Sequence, residues 1–300
     1  MAEHIVLSMP DNAVQSAATS DLEIEDLVST RYPKSRLFAW IAPAVLFSFT
    51  VYTASLAGGW AFAVPMLLII SAHSFGHYLT AQHYGVTASL PYFVPAMTIV
   101  GTGGAFIKVK WPVENRQALI AIFIAGPLFG LSTAFAFLAA GLLYSEVVAV
   151  QPGAMLLNES LIVQFLIALI HPSFDDSHDV MLSPMALAGW WGILLNFWHL
   201  LPIGKFDGGR VVYALWGYKT TLYISVVSIF SMWAFIFLFE YYQWTCLAVL
   251  GVVSMIGLRK QYPHDRFDGP LTTWLTWLAI LFPILIVLCF VPEPISFEGW

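Results

Sequence analysis

The chain has 300 residues, of which 59% are hydrophobic and 10% are charged, and its mean hydropathy is +0.78. Soluble domains carry about 25% charged residues, so this composition excludes an ordinary soluble protein and predicts one embedded in a lipid bilayer. The net charge of −6 lacks the basic excess of a nucleic-acid-binding protein, and no nucleic-acid partner is expected. Cys246 and Cys289 lie in apolar runs, which favours packed or lipid-facing residues over a disulfide or a cysteine-based metal site.

The first 33 residues differ from the rest because they are acidic. No Lys or Arg precedes Arg31, and the acids before it are Glu3, Asp11, Asp21, Glu23, Glu25 and Asp26. A secretory signal has a basic start, and a transit peptide is rich in Arg and poor in acids. Neither pattern is present, which favours a bacterial inner membrane over a chloroplast. The acidic composition predicts a disordered cytoplasmic tail over residues 1–33. Residues 34–300 are expected to form the membrane-embedded domain.

Seven apolar runs approach or exceed the length of about 20 residues that a helix needs to cross a bilayer. They predict an all-α polytopic membrane protein with about seven transmembrane helices. An eighth stretch, 155–170, contains Asn158, Glu159 and Gln164 and is expected to lie at the interface or pack on the bundle without spanning. The seven runs are residues 38–56, 62–81, 119–143, 184–202, 221–240, 244–258 and 271–291.

The cations predict the orientation of these runs, since Lys and Arg stay on the cytoplasmic side. All of them lie before the first run or in the connections that follow the second, fourth and sixth runs. This pattern predicts a cytoplasmic N-terminus. The parity requires that residues 155–170 do not span. The cations are Arg31, Lys34 and Arg36; Lys108, Lys110 and Arg116; Lys205, Arg210 and Lys219; and Arg259, Lys260 and Arg266.

Between the second and third runs, residues 85–117 are rich in Gly, Pro, Thr and β-branched residues. The alternation in AFIKVK, residues 105–110, favours a β-hairpin or small sheet at the membrane surface, and a plain re-entrant turn is the alternative. Gly101, Gly103 and Gly104 permit a bulge or the close approach of another strand.

The second run contains His73 and His77 in the sequence LLIISAHSFGHYLTA. Residues at i and i+4 lie on one face of a helix, and this spacing lets both imidazoles reach one zinc ion at about 2.0–2.1 Å. The alternative is a pair of packed histidines. Ionisable groups inside a span are costly and usually functional, which favours the metal.

A second constellation follows the fourth run, in NFWHLLPIGKFDGGR, residues 196–210. Pro202 and Gly204 break the chain before Asp207, which is expected at the end of the apolar helix. Broken helices occur at membrane depth where they line a site, and a buried carboxylate there needs a cation. A surface turn with a solvated Asp207 is the alternative. Two histidines and one carboxylate form a known catalytic zinc set with a fourth position for water.

These segments resemble the site-2 proteases, the intramembrane zinc metallopeptidases. AHSFGHYLTAQHYGV is similar to their HExxH helix, and LLPIGKFDGGRVVYAL is similar to their motif Asn-x-x-Pro-x4-Asp-Gly. The intervening segments resemble the branch with the plant chloroplast members and related bacterial ones, and the resemblance covers residues 60–217. It implies zinc bound by His73, His77 and Asp207, and a substrate segment that pairs by strand addition at Gly101, Gly103 and Gly104.

Two positions depart from the family pattern. Ser74 stands where the family has the glutamate that takes a proton from zinc-bound water, and loss of a general base costs roughly 10²–10⁴-fold in rate. His199 stands at the asparagine position, whereas Asn196 lies one helical turn too early. His199 is a fourth zinc ligand, a substitute base or oxyanion donor in substrate binding, or a packed residue without a direct role.

Two functions follow from this pattern. One is cleavage of a single-span membrane protein by zinc-activated water; the other is a catalytically impaired pseudoprotease that binds transmembrane partners without cutting them. The change at His199, in addition to that at Ser74, favours the second. A transporter would show a second broken helix in an internal repeat, and the sequence contains a single Asp-Gly break.

Overall fold

The structure is a computed structural model that describes residues 36–150, 153, 155–172, 178–264, 267 and 271–297. Contacts divide the chain into two units, Met1–Val45 and Leu46–Trp300. The described part of the first unit is the beginning of a helix, and the features below belong to the second. The tail predicted for residues 1–33 lies outside the described residues.

Helices make up most of the described chain, as the composition predicts. A 3-10 turn, Tyr242–Trp244, joins two of them. The α-helices are α1 Arg36–Gly58, α2 Trp60–His83, α3 Arg116–Leu142, α4 Leu161–Ile170, α5 Pro184–Leu200, α6 Asp207–Phe239, α7 Thr245–Ser254, α8 Leu258–Gln261 and α9 Thr273–Cys289.

Four helices are long and apolar enough to cross a membrane: Trp40–Gly58 within α1, α2, α3 and α6. The integral-membrane prediction is therefore confirmed. The other predicted runs are helical but shorter, with 17 residues in α5 and α9 and 10 in α7. Seven crossings remain a prediction.

The stretch 155–170 does not form one continuous helix. It contains a short strand followed by α4, which has 10 residues. At 1.5 Å per residue, α4 is about 15 Å long, half of the roughly 30 Å of a hydrocarbon core. This agrees with the expectation that the stretch does not span by itself.

The glycine-rich segment after α2 forms the predicted hairpin and not a plain re-entrant turn. Strand β1, Tyr92–Pro95, pairs antiparallel with β2, Thr102–Phe106, and the register shifts between Phe93 and Pro95. Thr53 of α1 donates from Oγ1 to the Gly101 carbonyl at 2.6 Å. Gly101 has φ +72°, and a Cβ there would lie 2.5 Å from the Ala54 Cα. The hairpin turn is thus held against α1.

Two further two-stranded antiparallel sheets connect segments that are distant in sequence. β3, Glu146–Ala149, pairs with β5, His178–Met181, and β4, Met155–Leu157, pairs with β6, Ile295–Phe297. The amide of Asn158 donates to the Glu293 carbonyl at 2.7 Å beside the second sheet. These pairings satisfy backbone groups that would otherwise be costly at a membrane boundary.

Helix α3 lies at the centre of the bundle and packs against α2, α5 and α6. Its contacts are close because small residues occupy the crossings. A Cβ on Gly76 of α2 would lie 2.8 Å from the Ala125 carbonyl oxygen of α3, and a Cβ on Gly189 of α5 would lie 2.5 Å from the Leu138 nitrogen. The backbone of α3 therefore approaches both neighbouring helices directly.

Asp207 is the first residue of α6, and the expectation that it ends the preceding helix is wrong. Helix α5 ends at Leu200, and six residues reverse the chain before α6 starts. A Cβ on Gly208 would lie 2.0 Å from the Leu200 carbonyl oxygen, and one on Gly209 would lie 2.4 Å from the Gly204 carbonyl oxygen. The glycine pair permits this tight reversal, which returns Asp207 toward α2.

Candidate metal centre

Three ligand atoms from two helices converge in the protein interior. His73 Nε2 lies 3.0 Å from His77 Nε2, and Asp207 Oδ2 lies 3.4 Å and 3.3 Å from these two nitrogens. All three residues are buried. Ligands at about 2.0–2.1 Å from a tetrahedral zinc are separated by about 3.3–3.4 Å. The observed separations therefore suit three ligands of one ion, and the described residues contain this group as a possible metal site.

The second nitrogen of each histidine is already used. His73 Nδ1 lies 2.8 Å from Asn196 Oδ1, which is the acceptor because the Asn196 amide nitrogen donates to the Gly192 carbonyl. His77 Nδ1 donates to the Ile122 carbonyl at 2.7 Å. Outer hydrogen bonds of this kind fix the tautomer and ring orientation of metal-binding histidines. Both Nε2 atoms are consequently left with lone pairs.

The donor set therefore suits a bound cation. Two imidazole nitrogens and a carboxylate oxygen face one another at 3.0–3.4 Å, and both Nδ1 atoms are already hydrogen-bonded elsewhere. Buried acceptors in such contact repel unless a positive charge lies among them. Two histidines and one carboxylate are ligands that zinc accepts, with a fourth position left open.

Asn196 is a functional residue that the motif spacing missed. A Cβ on Gly130 of α3 would lie 2.3 Å from Asn196 Oδ1, so the bond to His73 requires a glycine at this crossing. The available signal was a buried amide in an otherwise apolar helix, since polar groups within spans need partners.

The other oxygen of Asp207 is also held. Arg210 Nη1 donates to Oδ1 at 3.2 Å, and the Arg210 guanidinium lies 4.4 Å from the ring centre of Phe123. Both charged residues belong to the first turn of α6. Oδ1 is thus bound to a cation of the protein itself, and Oδ2 is directed toward the histidines.

His199 contacts the metal group through Asp207. Its Nδ1 lies 3.1 Å from Asp207 Oδ2 and donates, because a carboxylate can only accept. Its ring lies 4.5 Å from that of His73, and its side chain is 44% exposed. His199 does not belong to the compact group of His73, His77 and Asp207 found among the described residues. The geometry makes it a donor to a ligand and leaves Nε2 as its basic nitrogen.

A cavity of about 510 Å³ adjoins the metal group, with walls from α2, β2, α5 and α7. Ser74 lines it and is 1% exposed, and its Oγ has no hydrogen-bond partner among the described residues. Gly103 and Gly104 line the cavity. Gly101, which was expected to bind substrate with them, is not among the lining residues and contacts α1.

The acids outside the motifs lie elsewhere. Glu159 lines a separate cavity of about 300 Å³ together with Asp179. Burial raises the pKa of Glu159, and the negative charge of Asp179 raises it further. Glu114 lies 4.0 Å from His264. Neither glutamate belongs to a metal-binding motif, and neither lies in the group of His73, His77 and Asp207.

Asp207 belongs to a short helical segment that is fixed at both ends. Helix α6 has non-helical backbone at Gly217, with φ 79° and ψ −175°. Arg116, at the start of α3, donates to the carbonyls of Ala214 and Leu215 at 2.8 and 2.9 Å, just before this break. Cations commonly satisfy the last carbonyls of a helix. At the other end, the Tyr262 hydroxyl donates to the Gly204 carbonyl at 3.0 Å.

Residues 61–240, more than half of the chain, match peptidase family M50. The chain belongs to peptidase family M50. It is also 27% identical over 244 residues to the probable zinc metalloprotease EGY2, chloroplastic, of Arabidopsis thaliana, a match that covers 79% of this chain and 42% of the relative.

Two other relatives are similar over shorter ranges. The EGY2 protein of Oryza sativa subsp. indica is 34% identical over 170 residues, covering 56% of this chain and 31% of the relative. The EGY1 protein of Arabidopsis is 32% identical over 177 residues, covering 57% and 32%. The chain spans less than half the length of these curated relatives.

Membership of family M50 confirms the predicted site-2 protease resemblance and its plant-like branch. The relatives are named zinc metalloproteases, and the donor set of His73, His77 and Asp207 fits that ion. The relatives named above are chloroplastic. A bacterial inner membrane, predicted from the sequence, remains a prediction.

We expect the purified chain to bind about one zinc ion through the three converging ligands. Each of His73→Ala, His77→Ala and Asp207→Ala removes one acceptor and should sharply reduce zinc content measured by elemental analysis. The control is His83→Ala, an exposed histidine at the end of the same helix. Zinc content unchanged by all three ligand substitutions would contradict the assignment.

Arg116→Ala should weaken zinc binding although Arg116 does not contact the metal group. The change leaves the Ala214 and Leu215 carbonyls without their donor and loosens the segment that positions Asp207. Outer-shell substitutions cost roughly 10–100-fold in metal affinity, and we expect about tenfold here, measured by chelator competition.

The zinc affinity of Arg116→Lys should lie between those of wild type and Arg116→Ala. An ammonium keeps the charge of Arg116 but not its two-pronged hydrogen-bonding geometry. Lys260→Ala, at an exposed cation, is the control. Equal zinc affinity in Arg116→Ala and wild type would show that the segment is held by other contacts.

Proposed function

We propose that this chain is a site-2-protease-like zinc protein that receives a transmembrane segment of another protein beside its metal group, and that its hydrolytic step is impaired. The observation that carries this proposal is Ser74. It occupies the general-base position next to His73, and its hydroxyl is buried without a partner among the described residues. The proposed ligands are His73, His77 and Asp207.

The cavity supports the binding half of the proposal. Residues Thr102–Ala105 of β2 line it, and β2 pairs with a single strand, β1, within the described residues. An extended segment is bound by such a strand edge through main-chain hydrogen bonds. The walls contributed by Ile70, Trp191 and Leu250 are apolar, which suits a segment drawn from a membrane.

The residues that line the cavity support the proposal that the hydrolytic step is impaired. Bound zinc supplies a Lewis acid that lowers the pKa of water. A nearby acceptor must then take the proton, and no Asp or Glu is among the described residues that line the cavity. A serine hydroxyl does not accept a proton near neutral pH, and a missing general base costs roughly 10²–10⁴-fold.

An active peptidase is the second candidate, and His199 is the observation that favours it. Its Nδ1 donates to Asp207, which leaves Nε2 basic, and its partly exposed side chain lines the cavity. A histidine in hydrogen-bond reach of the reacting water can act as general base. This candidate requires cleavage that depends on both His73 and His199.

The deciding experiment measures cleavage of a single-span substrate by the reconstituted protein. We expect wild type to be near background. Ser74→Glu should increase the rate by about 10²-fold or more, because it restores a proton acceptor. Ser74→Glu with His199→Asn tests whether the donor to Asp207 hinders the site, in which case the rate rises further. Adding His73→Ala to Ser74→Glu should abolish the gain.

Robust wild-type cleavage that is lost in His73→Ala would contradict the proposal that hydrolysis is impaired. Its loss in His199→Ala would identify His199 as the base.

Binding of a transmembrane segment is measured separately through the native thiols. Cys246 is exposed and lines the cavity, whereas Cys289 is buried. A bound segment should slow maleimide labelling of Cys246, and unchanged labelling at saturating segment would contradict binding in the cavity.

The orientation with a cytoplasmic N-terminus belongs to the same proposal, because the cations lie at alternate junctions. Topology reporters fused after Gln117 and after Gly217 should report cytoplasm. A reporter fused after residue 150 should report the opposite side. An outside signal at Gly217 would reverse the parity and imply that residues 155–170 take part in an additional crossing.

A further inference from the structure

The cavity beside the metal group lacks a negative charge of its own. No Asp or Glu is among its described lining residues. At the metal group, the charge of Asp207 is balanced by Arg210, which donates to Oδ1 at 3.2 Å. His73 and His77 donate outward from Nδ1 and would bring no negative charge to a bound zinc ion. A bound dication therefore keeps its full excess charge beside an apolar cavity, where an uncompensated charge is costly.

Ser74 adds a directional donor at the same place. Its side chain is almost completely buried, it lines the cavity, and its Oγ has no partner among the described residues. A hydroxyl can donate one hydrogen bond. A buried hydroxyl without a partner costs free energy, and an anionic acceptor in the cavity would remove that cost and balance the charge.

We propose that this cavity binds the carboxylate group of a ligand with an apolar body, and that the Ser74 hydroxyl donates to that carboxylate. The walls near the group are aliphatic and include Ile69, Leu195 and Leu247, which favour an apolar body over a small hydrated anion such as phosphate. The proposal rests on the metal site proposed above. The carboxylate belongs either to a free carboxylic acid or to the C-terminus of a peptide.

Glutamate at position 74 would reverse this preference. Its carboxylate would supply the missing negative charge from the protein itself and would repel a second carboxylate in a low-dielectric cavity. Serine instead leaves a neutral donor. The substitution that removes the proton acceptor therefore also makes the cavity selective for an anion.

The test uses the full chain in detergent with Co²⁺ in place of zinc, because the visible bands of Co²⁺ report both metal binding and a change beside the metal. Acetate and hexanoate are titrated, and saturable spectral changes are expected, with hexanoate binding more tightly. Ser74→Ala should weaken both by about tenfold through loss of a charge-assisted hydrogen bond. Ser74→Glu should abolish the response, and Ser74→Thr should keep it. Ser55→Ala, which removes a hydroxyl bonded to the Tyr52 carbonyl of its own helix, should leave it unchanged.

The outcomes separate the two proposals. Absence of cobalt bands would overturn the metal site and this inference together. Normal bands that do not respond to carboxylates, or that respond equally in wild type and Ser74→Ala, would overturn the inference alone. An apolar peptide with a free C-terminus, compared with its C-terminal amide, identifies the source. If only the peptide with a free C-terminus competes with hexanoate, the site is assigned to peptide C-termini. If neither peptide competes with hexanoate, the site is assigned to small carboxylic acids.

Discussion

The metal group depends on one constraint: the proton on Nδ1 of each histidine is committed before any ion binds. The Ile122 carbonyl accepts from His77, and Asn196 accepts from His73. Each commitment directs an unprotonated Nε2 toward Asp207. A buried cluster of three acceptors is unfavourable without a cation, so these two outer hydrogen bonds prepare a pair of membrane histidines for the metal ion proposed above.

Helix α3 provides this constraint although it contributes no metal ligand. Its Ile122 carbonyl holds His77, its glycines at 126 and 130 admit His77 and Asn196, and its first residue, Arg116, caps the segment that begins with Asp207. The two ligand-bearing helices are therefore aligned against a common reference. Close packing makes the alignment stiff, because protein interiors transmit small displacements instead of absorbing them.

The sequence predicted the parts of this site that depend on local spacing. His73 and His77 are four residues apart on one helix, and Asp207 follows a chain break. Both motifs can therefore be recognised from the sequence without the structure. The placement of Asp207 at a helix start was not, because it depends on Gly208 and Gly209 packing against carbonyls of the preceding reversal. Arg116 was likewise visible only as a topology signal, since its partners are 98 and 99 residues away. Contacts set by helix crossings leave no periodic pattern in a single sequence.

The geometry defines the hydrogen-bonding roles of Ser74 and His199 beside the metal group. The ligand atoms are arranged for an ion, yet the neighbouring position offers a donor where hydrolysis needs an acceptor. His199 also donates toward the group, to the same Asp207 oxygen that faces the metal ligands. The two departures therefore differ in what they offer: Ser74 presents a donor without a partner among the described residues, whereas His199 uses its Nδ1 proton for Asp207 and leaves a basic Nε2. In our proposal, the site keeps the ligands of a zinc peptidase, while proton transfer from the metal-bound water loses the support of a base at position 74.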